Sequence, residues 1–199
     1  MKKIFTCLLA LGLSLSLNAN AISIDLIADK NVASLGETLE LQVRINGLDG
    51  TAALGSYDVN FYYDANLFSI SNITWGDATQ GNQLDLLGFG SLQDNSSSLG
   101  WLNMLEVSFD EIADLELLQA GEFTLFSILL SAIAIGSGDF SLTTNAMGDA
   151  YGQDLFIDSI NNTSVHVSAA TVSEPAGILL LLGAIAFVVL RNKASHPKQ

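Results

Sequence analysis

The chain has 199 residues, 49% of them apolar, and 21 acidic side chains against seven basic ones give it a net charge of −14. That charge excludes a nucleic-acid ligand held on a basic surface. A single cysteine excludes an internal disulfide or a cysteine-rich metal site, and the apolar content excludes a disordered acidic tail. The length suits one domain with a core of its own.

Lys2 and Lys3 open the chain, residues 4–17 carry no charge, and Asn18-Ala19-Asn20-Ala21 follows. A basic start, a short apolar run and an A-x-A site are the parts of a secretory signal peptide. Cleavage is expected after Ala21, leaving Ile22 as the mature N-terminus. An uncleaved membrane anchor is the alternative, but the run is short for a span of about 20 residues. Cys7 leaves with the signal, so the mature chain is cysteine-free. Residues 22–174 then hold all 21 acids and only Lys30 and Arg44, a net 2 − 21 = −19.

The periodicity of the next segment is that of strands. Leu39, Leu41, Val43 and Ile45 alternate with Glu40, Gln42 and Arg44, the period-2 pattern of a half-buried strand. Tyr57, Val59, Phe61 and Tyr63 repeat it, with Asp58, Asn60 and Tyr62 on the other face. Phe140 with Leu142, and Val165 with Val167, do the same near the end. Residues 123–135 are almost wholly apolar, as a central strand buried on both faces would be. Asn46-Gly47, Asp49-Gly50, Asp64-Ala65-Asn66 and Gly136-Ser137-Gly138-Asp139 supply turns between these runs. One helix is predicted, over 110–119, where Ile112, Leu115 and Leu118 fall at helical spacing. The fold class is all-β, an antiparallel β-sandwich over 22–168.

Ser34-Leu35-Gly36-Glu37, the strand 39–45, the run Leu54-Gly55-Ser56-Tyr57-Asp58-Val59-Asn60-Phe61-Tyr62-Tyr63-Asp64 and then Leu67-Phe68 resemble the first half of a cohesin-like domain. Residues 121–130 and 138–142 are similar to its later strands. The resemblance covers about 120 residues and implies a β-sandwich of jelly-roll topology. Cohesins bind dockerin modules; no motif here marks a dockerin-binding face, so that activity is not carried over.

Candidate chemistry is sparse. The ectodomain has one histidine, His166, on the polar side of an alternating strand and with no nucleophile-elbow serine in the sequence. With 21 acids, some pair of carboxylates is inevitable and marks no glycosidase. No enzyme is expected. Calcium, which takes oxygen ligands, is the possible cofactor, on Asp139, Asp149, Asp154 and Asp158. The spacing is not that of an EF-hand, and a hairpin turn built on Asp149 and Gly152 is the competing reading. Residues 76–100 are rich in Gly, Ser, Asn and Gln and show no clean strand pattern. Trp75 and Trp101 flank this stretch, either stacking on sugar rings or ending strands and packing on the core. Residues 84–89 within it are expected to return to the core.

At the C-terminus, residues 169–176 form a tether ending in Ser173-Glu174-Pro175-Ala176. Residues 177–190 are uncharged, and Arg191 and Lys193 follow at once. Being apolar all round, the run reads as a short transmembrane helix, with 191–199 cytoplasmic by the positive-inside rule. A buried helix of the domain is the alternative. Glu174-Pro175-Ala176, an apolar run and a basic stop resemble the PEP-CTERM sorting signal; Ser173 stands where that motif has its first proline. The resemblance covers about the last 25 residues. It implies a Gram-negative exported protein, inner-membrane anchored and then at the cell surface or beyond. It implies an exosortase-type transpeptidase as partner, and association with exopolysaccharide, biofilm or other surface proteins. The reading is therefore a non-enzymatic surface or matrix protein, with a carbohydrate- or calcium-binding module as the alternative.

Overall fold

The computed structural model describes residues 21–49 and 52–169. Residues 1–20 of the expected signal peptide, the expected sorting motif with Arg191 and Lys193, and the expected 177–190 span lie outside the described residues. Eleven strands form among the described residues: β1 (Ser23–Ala28), β2 (Val32–Ser34), β3 (Thr38–Asn46), β4 (Leu54–Tyr62), β5 (Phe68–Trp75), β6 (Ser91–Ser98), β7 (Trp101–Ser108), β8 (Glu122–Ala132), β9 (Gly136–Asp149), β10 (Ser159–Asn161) and β11 (Thr163–Ser168). One helix, α1 (Ile112–Leu118), lies between β7 and β8.

The strands make two sheets, ordered β10-β1-β3-β8-β5 and β2-β11-β9-β4-β7-β6. Period-2 alternation sorts their side chains. Leu39, Leu41, Val43 and Ile45 from β3 are buried on one side, and Tyr57, Val59 and Phe61 from β4 on the other. The aromatic residues join the layers: Phe140 of the six-stranded sheet stacks on Phe61 at 5.9 Å and meets Phe68 of the five-stranded sheet at 4.9 Å. Tyr57 likewise meets Phe126 of β8 at 6.1 Å and Trp75 of β5 at 6.4 Å.

β8 is central, between β3 and β5, and buried on both faces over most of its length, as its almost wholly apolar run predicts. The sheets are mixed rather than antiparallel. β10 runs parallel to β1, and β2 parallel to β11. Hydrophobic periodicity reports which face a residue occupies and is silent on the direction of its neighbour, and both parallel pairs involve three-residue edge strands too short to carry a pattern of their own. α1 falls within the predicted span, but only Leu115 of its three spaced residues is buried.

The predicted loop 76–100 contains a strand. β6 has no apolar alternation because it is the outer strand of its sheet and is exposed along nearly its whole length. The turn that enters this region depends on Gly76, whose φ is +68°; a Cβ there would overlap the Gly81 carbonyl, so glycine alone fits. Of residues 84–89, only Leu84 is buried; Leu87 and Phe89 are exposed.

Candidate binding face

The inward phase of β4 and β7 fills the core, so their outward phase must face solvent. On β4 this phase is Ser56, Asp58, Asn60 and Tyr62; on β7 it is Trp101, Asn103, Leu105 and Val107. The antiparallel register sets Asp58 opposite Leu105, Asn60 opposite Asn103 and Tyr62 opposite Trp101. β6 extends the surface with Asp94 opposite Leu105 and Ser96 opposite Asn103. On the far side of β4, the register of β9 shifts between Asp58 and Val59. That bulge brings Asn145 over β4.

Four side chains there close a ring. Asn103 Nδ2 donates to Asp58 Oδ1 at 2.6 Å and to Asn60 Oδ1 at 3.1 Å. Asn60 Nδ2 donates to Asn145 Oδ1 at 2.8 Å, and Asn145 Nδ2 returns to Asp58 Oδ1 at 3.0 Å. Trp101 joins through its indole N–H, 3.2 Å from Asn60 Oδ1. Three strands thus fix one another's polar side chains, so little rotamer freedom is left for a ligand to remove. The half-exposed Trp101 and Tyr62, with exposed Leu92 on β6, add the aromatic and aliphatic surface from which interface anchors are drawn.

Beneath the β6 edge lies a second polar cluster, turned inward. Glu106 occupies the same phase of β7 as Leu102 and Met104 and is fully buried. Its carboxylate accepts from Tyr57 Oη at 3.0 Å, Asn82 Nδ2 at 2.5 Å, Ser91 Oγ at 2.5 Å and Gln93 Nε2 at 2.9 Å. Four donors satisfy a charge that would otherwise be costly to bury. Burial pushes the Tyr57 hydroxyl well above the ordinary phenol range, and the Glu106 charge adds to that, so Tyr57 stays protonated as a donor. Because Asn82 belongs to the 76–90 segment and Ser91 and Gln93 to β6, Glu106 pins both to the sheet that carries the ring.

The residues singled out from sequence are distributed as follows. Trp75 ends β5 in the five-stranded sheet and packs on Tyr57, whereas Trp101 begins β7 in the other sheet; the two belong to different layers. Asp149 ends β9 and caps the turn that follows it: its Oδ1 accepts the N–H groups of Tyr151 and Gln153. Asp154 bridges back to Gly148, Asp139 lies in β9 opposite Ser164, and Asp158 Oδ2 accepts the N–H of Ile22 at 2.8 Å. Among the described residues, no three acidic, histidine or cysteine side chains are grouped to hold a metal ion. His166 is exposed, with Nδ1 2.9 Å from Ser137 Oγ. Sequence reasoning passed over Asn103, Asn145 and Glu106. The outward phase of β7 and the Glu in an otherwise apolar inward phase were the available signals for two of them; Asn145 depends on a bulge that no pattern announces.

Similar architectures occur among solved structures. A non-cellulosomal cohesin from the hyperthermophilic archaeon Archaeoglobus fulgidus superposes with a TM-score of 0.54 at 16% identity, over 76% of this chain and 94% of that one. The fold is cohesin-like. The seventh ScaB type I cohesin of Pseudobacteroides cellulosolvens gives 0.58 at 16% identity, over 77% of this chain and 96% of its own. A type I cohesin–dockerin complex from Clostridium thermocellum gives 0.59 at 15% identity, over 75% of this chain and 100% of the other. No protein-family model and no curated protein matches the chain in sequence. The cohesin-like sandwich expected from residues 34–68 is therefore the fold that forms.

Proposed function

We propose that the chain is an exported, non-catalytic interaction module that presents the outer face of β9-β4-β7-β6 to a partner protein. The observation that carries this reading is the closed Asp58–Asn103–Asn60–Asn145 ring with Trp101 bonded to it. An outer face with fixed polar groups and a half-buried indole favours recognition over reaction. The cohesin-like fold supports it, since one structure of that fold is a complex with a dockerin. A Trp101→Ala, Asn103→Ala double variant should retain host surface proteins at least tenfold less well than the parent, as loss of about 1.4 kcal/mol or more at an interface centre implies. Its unfolding midpoint should stay within about 3 °C, roughly 1 kcal/mol for a domain of this size. Equal retention would place binding elsewhere.

The same surface favours a second reading, a carbohydrate ligand. Trp101 beside an amide and carboxylate ring is also what a sugar ring would stack on, and titration with exopolysaccharide would separate that reading from a protein partner.

Delivery rests on the two ends of the sequence. The signal peptide exports the domain, and the Glu174-Pro175-Ala176 motif with its apolar run and Arg191/Lys193 stop hands it to an exosortase-type transpeptidase. The domain then serves adhesion, biofilm or exopolysaccharide-associated structure at the surface of a Gram-negative cell. Intact mass of the native protein should match a chain that begins at Ile22 and has lost its C-terminal segment. A mass that ends at Gln199 would contradict the processing.

A further inference from the structure

We infer that Asp158 is a receptor site for the chain's own processed amino terminus, the α-ammonium of Ile22. This rests on the reading that export removes residues 1–21. The site has two halves. Asp158 Oδ2 accepts the Ile22 N–H at 2.8 Å, and the Asp158 N–H donates to the Ile22 carbonyl, also at 2.8 Å. One residue thus grips both backbone groups of the other, where the parallel β1/β10 ladder begins with Ser23 opposite Ser159. The Ile22 side chain is buried in the core between the sheets, so the nitrogen cannot swing away without withdrawing it.

Hydrolysis of the Ala21–Ile22 bond by a signal peptidase adds one water. The carbonyl carbon of Ala21 takes the oxygen and leaves as a carboxylate with the signal peptide, and the Ile22 nitrogen becomes an ammonium. A neutral amide donor facing a carboxylate turns into a cation facing it. Charge-assisted bonds of this kind are shorter and about twice as strong as neutral ones. The position of the nitrogen does not have to change. Cleavage therefore tightens the edge of the five-stranded sheet, and a chain still carrying its signal, or cut one residue away, lacks the pair. This gives Asp158 a role distinct from calcium binding and explains a carboxylate at the one point where the mature chain would start.

The test uses the mature chain through Gln199 in detergent, released from an N-terminal fusion so that it begins either at Ile22 or at Ala21. In the second form the Ile22 nitrogen remains an amide. The form beginning at Ile22 should unfold about 2–4 °C higher, and the difference should vanish in Asp158→Asn, which keeps the hydrogen bond but not the charge. Equal midpoints for the two starts, or a difference that survives Asp158→Asn, would overturn the site. N-terminal sequencing of the native protein separates the two layers. A native start other than Ile22 removes both the cleavage reading and this one. A start at Ile22 with equal midpoints removes this one alone.

Discussion

Phe140→Ala should cost about 4 kcal/mol of unfolding free energy, in the range expected for truncating a buried aromatic. Phe140 has no exposed surface and stands at the junction of the layers, against Phe61 in its own sheet and Phe68 in the facing one. The methyl of alanine reaches neither ring, so both lose a packing partner and the sheets face each other across a void. The neighbourhood is tight: a Cβ on Gly138, two residues away, would already lie 2.6 Å from Phe68. Strands held by ladders on both sides relax little into such a gap. Domains of this size have about 5–15 kcal/mol to lose, so the variant should remain folded but with a much lower urea midpoint and an unchanged m-value. A loss under about 1.5 kcal/mol, the cost of a volume-conserving swap, would mean that the layers are not joined here.

Glu106→Ala should cost about 3 kcal/mol, through a different mechanism and with a different footprint. Removing the carboxylate leaves Tyr57, Asn82, Ser91 and Gln93 without their common acceptor, and buried donors left unmade cost about 1–3 kcal/mol each where water cannot reach them. Gln93 and Asn82 can turn toward solvent, which keeps the total from being the sum. Glu106→Gln should cost less, about 1–2 kcal/mol, because its carbonyl oxygen still serves some of the donors. Hydrogen exchange should separate the two mechanisms. Phe140→Ala raises exchange across both sheets with the global stability, whereas Glu106→Ala raises it first in residues 82–98, the segment the carboxylate pins. Uniform exchange in both variants would contradict the clamp.

These two positions also mark what can be read from a sequence of this kind. Phe140 belongs to an alternating pair with Leu142, so its burial follows from period 2. The long strands β3, β4 and β8 are legible for the same reason, as is the turn at Asp149, where an aspartate and a following glycine state their chemistry locally. Glu106 breaks the rule that the inward phase is apolar, and its partners come from a segment with no pattern at all. β6 is invisible because a strand exposed along its length carries no hydrophobic code. The direction of β2 and β10 is invisible because alternation is the same in parallel and antiparallel pairs. The ring was half legible. Asp58 and Asn60 lie plainly on the outer phase of β4, but only the register with β7 and the bulge in β9 bring Asn103 and Asn145 to them.

The proposed docking face is the outer face of the six-stranded sheet, and the outer face of the five-stranded sheet serves as its control. The mature chain is expected to have no cysteine, so single cysteines can be placed at will. Ser96→Cys lies on the outer register of β6 beside Asn103, and Thr74→Cys lies on exposed β5 of the other sheet. Each is labelled with a photocrosslinker and illuminated on intact cells of the native host. One discrete protein adduct is expected at Ser96, competed away by excess unlabelled parent and lost when Trp101→Ala is added, and none at Thr74. Adducts of equal yield at both positions, or an adduct at Thr74 alone, would contradict it.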